Sequence, residues 1–162
     1  MHERLLIRRL AYDHPDVTAL VGRVQDFYVE RYGSGDDDPT TPADFEPPAG
    51  AFFVGYLDEE PVATGAWRVV GEDRLGTSST AEIKRMYVVP ELQRRGLARV
   101  MLAHLESTAT EAGLEALILS TGSMQPEAIA LYEASGYQPI DGFGHYAGYP
   151  LNRCFGKRLD GR

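Results

Sequence analysis

Residues 81–102, AEIKRMYVVPELQRRGLARVML, constrain most strongly how this chain can fold. The first nine residues carry a strand pattern, and Pro90 ends it because proline has no N–H to give to a ladder. From about Arg95 to Ala112, Leu97, Met101, Leu105, Ala109 and Ala112 recur at helical spacing. Gly113 stands where a helix takes its left-handed closing residue. EALILS (115–120), an apolar run between Gly113 and Gly122, reads as a buried strand. Upstream, AFFVGYL (51–57) and VATGAWRVV (62–70) flank Asp58-Glu59-Glu60-Pro61 and predict a hairpin. Hairpins in front and strand–helix alternation behind call for a mixed sheet with helices packed on it.

The remaining segments extend this pattern. RLLIRRL (4–10) predicts a first strand. A helix capped by Asp13 or Asp16 runs to about Arg31, with Val17, Leu20, Val21, Val24, Phe27 and Tyr28 on one stripe. Residues 33–50, rich in Gly, Pro and Asp, predict a loop with one helical turn, and 76–80 a second turn. PEAIALYEAS (126–135) has Pro126 at its start and Gly136 after its end, a helix signature. YQPI (137–140) and NRCFGKRL (152–159) are extended, with the loop FGHYAGYP before the latter. The predicted order is β-α-β-β-β-α-β-α-β-β. At 162 residues, without repeats or a linker, one domain over 1–162 is expected.

Composition excludes several classes. No apolar run approaches the roughly 20 residues that span a bilayer, and MHERLLIRRL has no signal-peptide core, so a soluble cytoplasmic protein is expected. Cys154 is the single cysteine, which rules out an internal disulfide. His2, His14, His104 and His145 lack metal-ligand spacing, so no metal is expected. The net charge is -8. Eight acids (Asp36, Asp37, Asp38, Asp44, Glu46, Asp58, Glu59, Glu60) fall between Tyr32 and Trp67, a stretch without Lys or Arg. The other 16 acids balance the 16 bases. No basic stripe of the kind that binds nucleic acid is evident.

Against this acidity, Arg94, Arg95 and Arg99 surround Gly96 at a predicted helix N-terminus. That end already bears about half a positive charge, so each added cation costs about 0.3–1 kcal/mol. A solvated turn would carry Asp or Glu there. A bound anion reverses the sign, and Gly96, without Cβ, admits one close to the backbone. Neither GxxxxGK[ST] nor a GxGxxG following a strand is present, so the anion does not sit in a standard nucleotide loop.

QRRGLA (93–98), following EIKRMYVVP, resembles the Gln/Arg-x-x-Gly-x-Gly/Ala acetyl-CoA motif of the GNAT superfamily of N-acetyltransferases. QPEAIALYEASGY (125–137) resembles that family's later segment Asn-x-x-Ala-x-x-Leu-Tyr-x-x-x-Gly-Phe/Tyr. The resemblance implies an α/β (α+β) fold: a mixed, mostly antiparallel sheet of six to seven strands flanked by helices. It implies that backbone N–H groups of Arg94, Arg95, Gly96, Leu97, Ala98 and Arg99 hold the pyrophosphate of acetyl-CoA. Met86, Tyr87 and Val88 would pair with the pantetheine arm, and an N–H near Val88 would polarise the thioester carbonyl. Tyr132 matches the family tyrosine placed near the sulfur as general acid. Gln125 stands where Asn is usual and would contact the cofactor with a longer reach. Many relatives use a glutamate at the position of Glu82 as base. An alkyl ammonium near pKa 10 needs one before it can attack. On an ideal strand Glu82 shares its side with Lys84, Met86 and Val88. Its alternatives are a solvated edge charge or a partner for Lys84 or Arg85.

The reading that follows is acetyl transfer from acetyl-CoA to a primary amine of a small molecule or peptide, by direct attack in a ternary complex. The alternative is an acyl-CoA sensor without the chemistry. The acidic segment 32–67 would attract a cationic acceptor or merely solubilise a loop. His145 could line the acceptor site, whereas His104 and Cys154 read as structural. The C-terminal loop and strand could make a homodimer contact.

Overall fold

Strand and helix signals resolve into seven strands and three helices in a computed structural model of the chain. It describes residues 5–32, 40–123, 125–144 and 147–159, with the side chains of Phe27, Tyr28, Arg31 and Tyr32 outside the description. The elements are β1 (Leu6–Arg9), α1 (Pro15–Tyr32), a 3-10 turn (Pro42–Phe45), β2 (Gly50–Leu57) and β3 (Glu60–Val69). Then come β4 (Thr80–Val88), a short 3-10 turn (Pro90–Leu92), α2 (Leu97–Glu111), β5 (Ala116–Gly122), α3 (Pro126–Ala134), β6 (Gln138–Ile140) and β7 (Asn152–Arg158). One sheet has the order β1-β2-β3-β4-β5-β7-β6. Only β4 and β5 are parallel. The mixed, mostly antiparallel seven-stranded sheet expected from the sequence is therefore the fold.

Each face of the sheet is covered. Phe53 meets His104 edge to face at 4.6 Å, and the Trp67 indole N–H donates to Thr108 Oγ1 at 3.1 Å. These contacts set α2 on the face of Phe53 and Trp67. On the opposite face, Phe52 packs against Tyr12 and Phe45, and Arg23 of α1 reaches the Tyr87 hydroxyl. Of the stripes drawn from the sequence, Val17, Leu20 and Val24 on α1 and Leu97, Met101, Leu105 and Ala109 on α2 are buried; Val21 is half-buried, and Phe27 and Tyr28 lie outside the described side chains. Ala112 is exposed, beyond the last turn.

Local chemistry moves several boundaries. His14, not Asp13 or Asp16, caps α1: its Nδ1 accepts the N–H of Asp16 at 3.0 Å, with Pro15 in the first helical position. The β2–β3 hairpin turns on two residues, since Asp58 and Glu59 both adopt positive φ (50° and 68°). β3 thus starts at Glu60. A second such turn at Leu75 and Gly76 joins Arg74 to Thr77. Helix α2 begins two residues later than Arg95, because Gly96 (φ 80°) is its left-handed N-cap. Both α2 and α3 end in paired closing bonds around a left-handed glycine, Gly113 or Gly136. In each, the residue after the glycine donates back five positions, Leu114 to Ala109 and Tyr137 to Tyr132, both at 3.0 Å. Among the described residues no helix is long and apolar enough to cross a membrane.

Two glycines hold the layers close. A Cβ at Gly65 would lie 2.7 Å from Met101 Cγ, and one at Gly50 would run into the backbone oxygens of Asp44 and Trp67. A methionine can shift, whereas a backbone carbonyl cannot without moving its strand. We expect Gly65→Ala to cost about 1–3 kcal/mol and Gly50→Ala to cost more. Urea unfolding midpoints of the two variants check the order.

Candidate active site

β4 and β5 pair only over Thr80–Glu82 against Ala116–Ile118. Past Glu82 and Ile118 the strands part. β5 continues its ladder with β7 to Gly122, and β4 continues with β3 to Val88. Among the described residues β4 keeps a ladder register with β3 alone from Ile83 to Val88, and a strand edge that leaves its neighbour in this way is a template for an extended ligand.

A bulge shapes this edge. β3 pairs Ala66 with Lys84 and then Thr64 with Tyr87, so Arg85 and Met86 together oppose Gly65. Arg85 has φ 56°, and its carbonyl accepts the Thr64 hydroxyl at 2.6 Å. The bulge re-phases the strand. Glu82 and Lys84 share their face with Tyr87, the side of α1, while Val88 pairs with Ala63 on the side of α2. The ideal alternation that grouped Glu82 with Val88 is thereby corrected. Tyr87 and Val88 are buried and Met86 is half-buried. Burial pushes the Tyr87 phenol up from its ordinary pKa.

The loop after β4 ends at the N-terminus of α2. Gln93 Nε2 donates to Val88 O at 3.0 Å, which ties the loop to the strand end. Arg94 (φ 68°) and Gly96 (φ 80°) both take the left-handed conformation, which turns the chain sharply into the helix. The first helical bond, Val100 N–H to Gly96 O at 3.2 Å, leaves the N–H groups of Leu97, Ala98 and Arg99 ahead of it. No side chain caps this end, and its first turn contains no acid. Arg94, Arg95, Gly96 and Arg99 are exposed, Ala98 is half-buried and Leu97 is buried. A Cβ on Gly96 would meet nothing within 4 Å. The open turn, the bare N–H groups and the surrounding cations together fit a pyrophosphate.

Glu82 stands at the last paired position, where the strands part. It is 7% exposed and is no solvated edge charge. Its cross-strand partner is Arg68. Arg68 donates from Nη2 (3.2 Å) and Nε (3.3 Å) to Glu82 Oε1, while Arg68 Nη1 lies 3.6 Å from Asp44 Oδ2. The sequence reading missed this partner. Its signal was a lone arginine in the apolar run VATGAWRVV, opposite an acid in the neighbouring strand.

Helix α3 starts at the other wall of the cleft. Gln125, its N-cap residue, donates its N–H to Gly122 O at 3.0 Å, at the end of β5. Tyr132 is buried and meets Tyr137 edge to face at 5.6 Å. The Tyr137 hydroxyl donates to Glu106 Oε2 at 2.8 Å, and Lys157 Nζ lies 3.1 Å from the same oxygen. Burial, with the Glu106 charge beside it, pushes the Tyr137 phenol far up. Three elements thus hold the ring against which Tyr132 rests. His104 is half-buried on α2 against Phe53 of β2, and burial holds its pKa below the ordinary value. Cys154 is buried, with Ser120 Oγ at 3.4 Å and Asn152 Nδ2 at 3.2 Å from its sulfur. His145 and the acids Asp36, Asp37 and Asp38 lie outside the described residues.

Comparison with known proteins agrees with this geometry. The family model described as Acetyltransferase (GNAT) family matches residues 21–137. An IAA acetyltransferase of Azospirillum brasilense is 40% identical over 108 residues, 67% of each chain. The uncharacterized N-acetyltransferase YjgM of Escherichia coli is 29% identical over 147 residues, 84% of this chain and 83% of its own. The crystal structure of a protein from Klebsiella pneumoniae, assigned as an acyl-CoA N-acyltransferase, superposes with a TM-score of 0.78 at 27% identity. It covers 96% of this chain and 97% of its own.

Removing the Tyr137 hydroxyl deletes a hydrogen bond to a charged group in a mostly dry setting. Tyr137→Phe should lower stability by about 1–3 kcal/mol, read from urea unfolding.

Proposed function

The chain belongs to the acetyltransferase (GNAT) family, and from that premise we propose that it transfers the acetyl group of acetyl-CoA to a primary amine by direct attack in a ternary complex. The observation that carries this reading is the path from the point where β4 leaves β5 to the arginine-flanked start of α2, which no side chain caps. An extended pantetheine arm matches that edge, and a pyrophosphate matches that helix end.

Bound acetyl-CoA supplies the thioester to be attacked. Backbone N–H groups from Arg94 to Arg99 hold the pyrophosphate, and the arginine side chains add charge around it. Met86, Tyr87 and Val88 align the arm along β4, and Gln125 contacts it from the start of α3. An N–H near Val88 polarises the thioester carbonyl. Glu82 accepts a proton from the acceptor ammonium, directly or through one water. As the new C–N bond forms and the C–S bond breaks, Tyr132 gives its hydroxyl proton to the departing sulfur, the nitrogen releases its second proton to solvent, and the phenol regains one from solvent.

The acceptor is a small molecule or a peptide end, and the acids between Tyr32 and Trp67 favour a cationic one. Asp58, Glu59 and Glu60 are exposed around the β2–β3 turn. Pairing of Ala63 with Val88 sets this turn at the open end of the cleft. Asp44 is instead engaged with Arg68.

Glu82→Gln and Tyr132→Phe should each lower kcat by about 10²–10⁴-fold and leave the Kd for coenzyme A nearly unchanged. Steady-state thiol release and calorimetric titration check the two halves of that statement. Replacing Arg94 and Arg99 together by Gln should raise the Kd for coenzyme A about 3- to 30-fold. Neutralising Asp36, Asp37 and Asp38 should raise KM for a cationic acceptor, more at low salt.

A further inference from the structure

We propose that Arg68 is a positioning residue for acetyl transfer, one that fixes the Glu82 carboxylate through its Oε1 and links it to the Pro42–Phe45 turn. This rests on the role of Glu82 given under the proposed function. Arg68 lies directly across the β3–β4 ladder from Glu82. Two donors, Nε and Nη2, converge on the single oxygen Oε1 at 3.3 and 3.2 Å. Two donors from one planar group restrict carboxylate rotation more than one would.

Arg68 is itself held from the far side. Its Nη1 faces Asp44 Oδ2 at 3.6 Å, and the same oxygen accepts the Thr41 N–H at 2.9 Å. Asp44 belongs to the turn whose Phe45 packs edge-on to Tyr12 and Phe52. The chain of contacts therefore runs from an aromatic cluster, through Asp44 and Arg68, to the carboxylate at the point where β4 and β5 part.

Stability alone gives a weak reason for this arrangement. Burying an acid–base–acid set gains little over an apolar set of the same volume. Beside the pair Ala66 and Ala81 are fully buried, while Lys84 and Arg85 of β4 are buried charges as well. A proton acceptor, in contrast, gains from being held in one orientation. Misplacement by about 1 Å can cost about a hundredfold in rate.

The test is a double-mutant cycle on the full chain, with kcat and KM measured for a reactive amine and acetyl-CoA. Arg68→Met should lower kcat about 10- to 100-fold and change KM for acetyl-CoA by less than about twofold. In the Glu82→Gln background the same substitution should cost nothing further, because its effect passes through Glu82. Arg68→Lys keeps the charge but not the fork, so it should also fall short of wild type. Asp44→Asn leaves both donors to Oε1 in place and should lower kcat less than Arg68→Met. If Arg68→Met does not fold, the same cycle is run with Arg68→Lys, whose charge and length are closer to native. Full kcat in the Arg68 variant, or losses that multiply across the cycle, overturn the inference while leaving Glu82 as base. Full turnover in Glu82→Gln overturns both.

Discussion

The parting of β4 and β5 governs the rest of this structure. A parallel pair cannot stay in register when one strand takes up an extra residue and its neighbour does not. β4 follows β3 through the bulge at Arg85 and Met86, while β5 follows β7 straight. Three paired residues hold the two strands at one end, and their helices diverge from the other. Gly65 makes this arrangement feasible. It faces the bulge from β3 and leaves room for Met101, so α2 sits close behind the strand that it follows.

Charge is arranged on the same plan. Arg94, Arg95 and Arg99 stand at the end of a helix that already bears partial positive charge, and the first turn has no acid to relieve them. This costs stability in the absence of an anion. The acids in excess over the chain lie elsewhere, in a stretch that feeds β2 and β3. A net charge of -8 and a cationic helix end are therefore compatible, because the excess acids belong to a different stretch of the sequence.

Most of the architecture was legible because local and tertiary signals agree. Pro90, Gly113, Pro126 and Gly136 mark helix and strand limits that hold to within two residues. The glycine turn was legible for the same reason: three arginines oppose the helix dipole, and a motif followed. The side of Tyr87 and Val88 was not. Strand alternation fails at a bulge, and nothing in IKRMY announces one, since Arg85 is neither glycine nor asparagine. The cap of α1 was also misassigned, because a histidine did the work expected of an aspartate. Arg68 escaped notice for a different reason. A cross-strand pair needs the register, and register between β3 and β4 shifts at the bulge.

Glu82 shows how such a gap changes the chemistry inferred. From the sequence its choices were a base, a solvated charge, or a partner of its own strand's Lys84 or Arg85. The burial of Glu82 removes the solvated option, and the observed contact adds a half-buried cation, Arg68, from the next strand. A carboxylate that takes two hydrogen bonds from one guanidinium keeps its orientation. It is at the same time well suited to receive an acceptor that arrives as an ammonium, which brings its own positive charge into the cleft. Glu82, the guanidinium that holds it and Asp44 behind that guanidinium are thus parts of one charge arrangement at the point where β4 and β5 part.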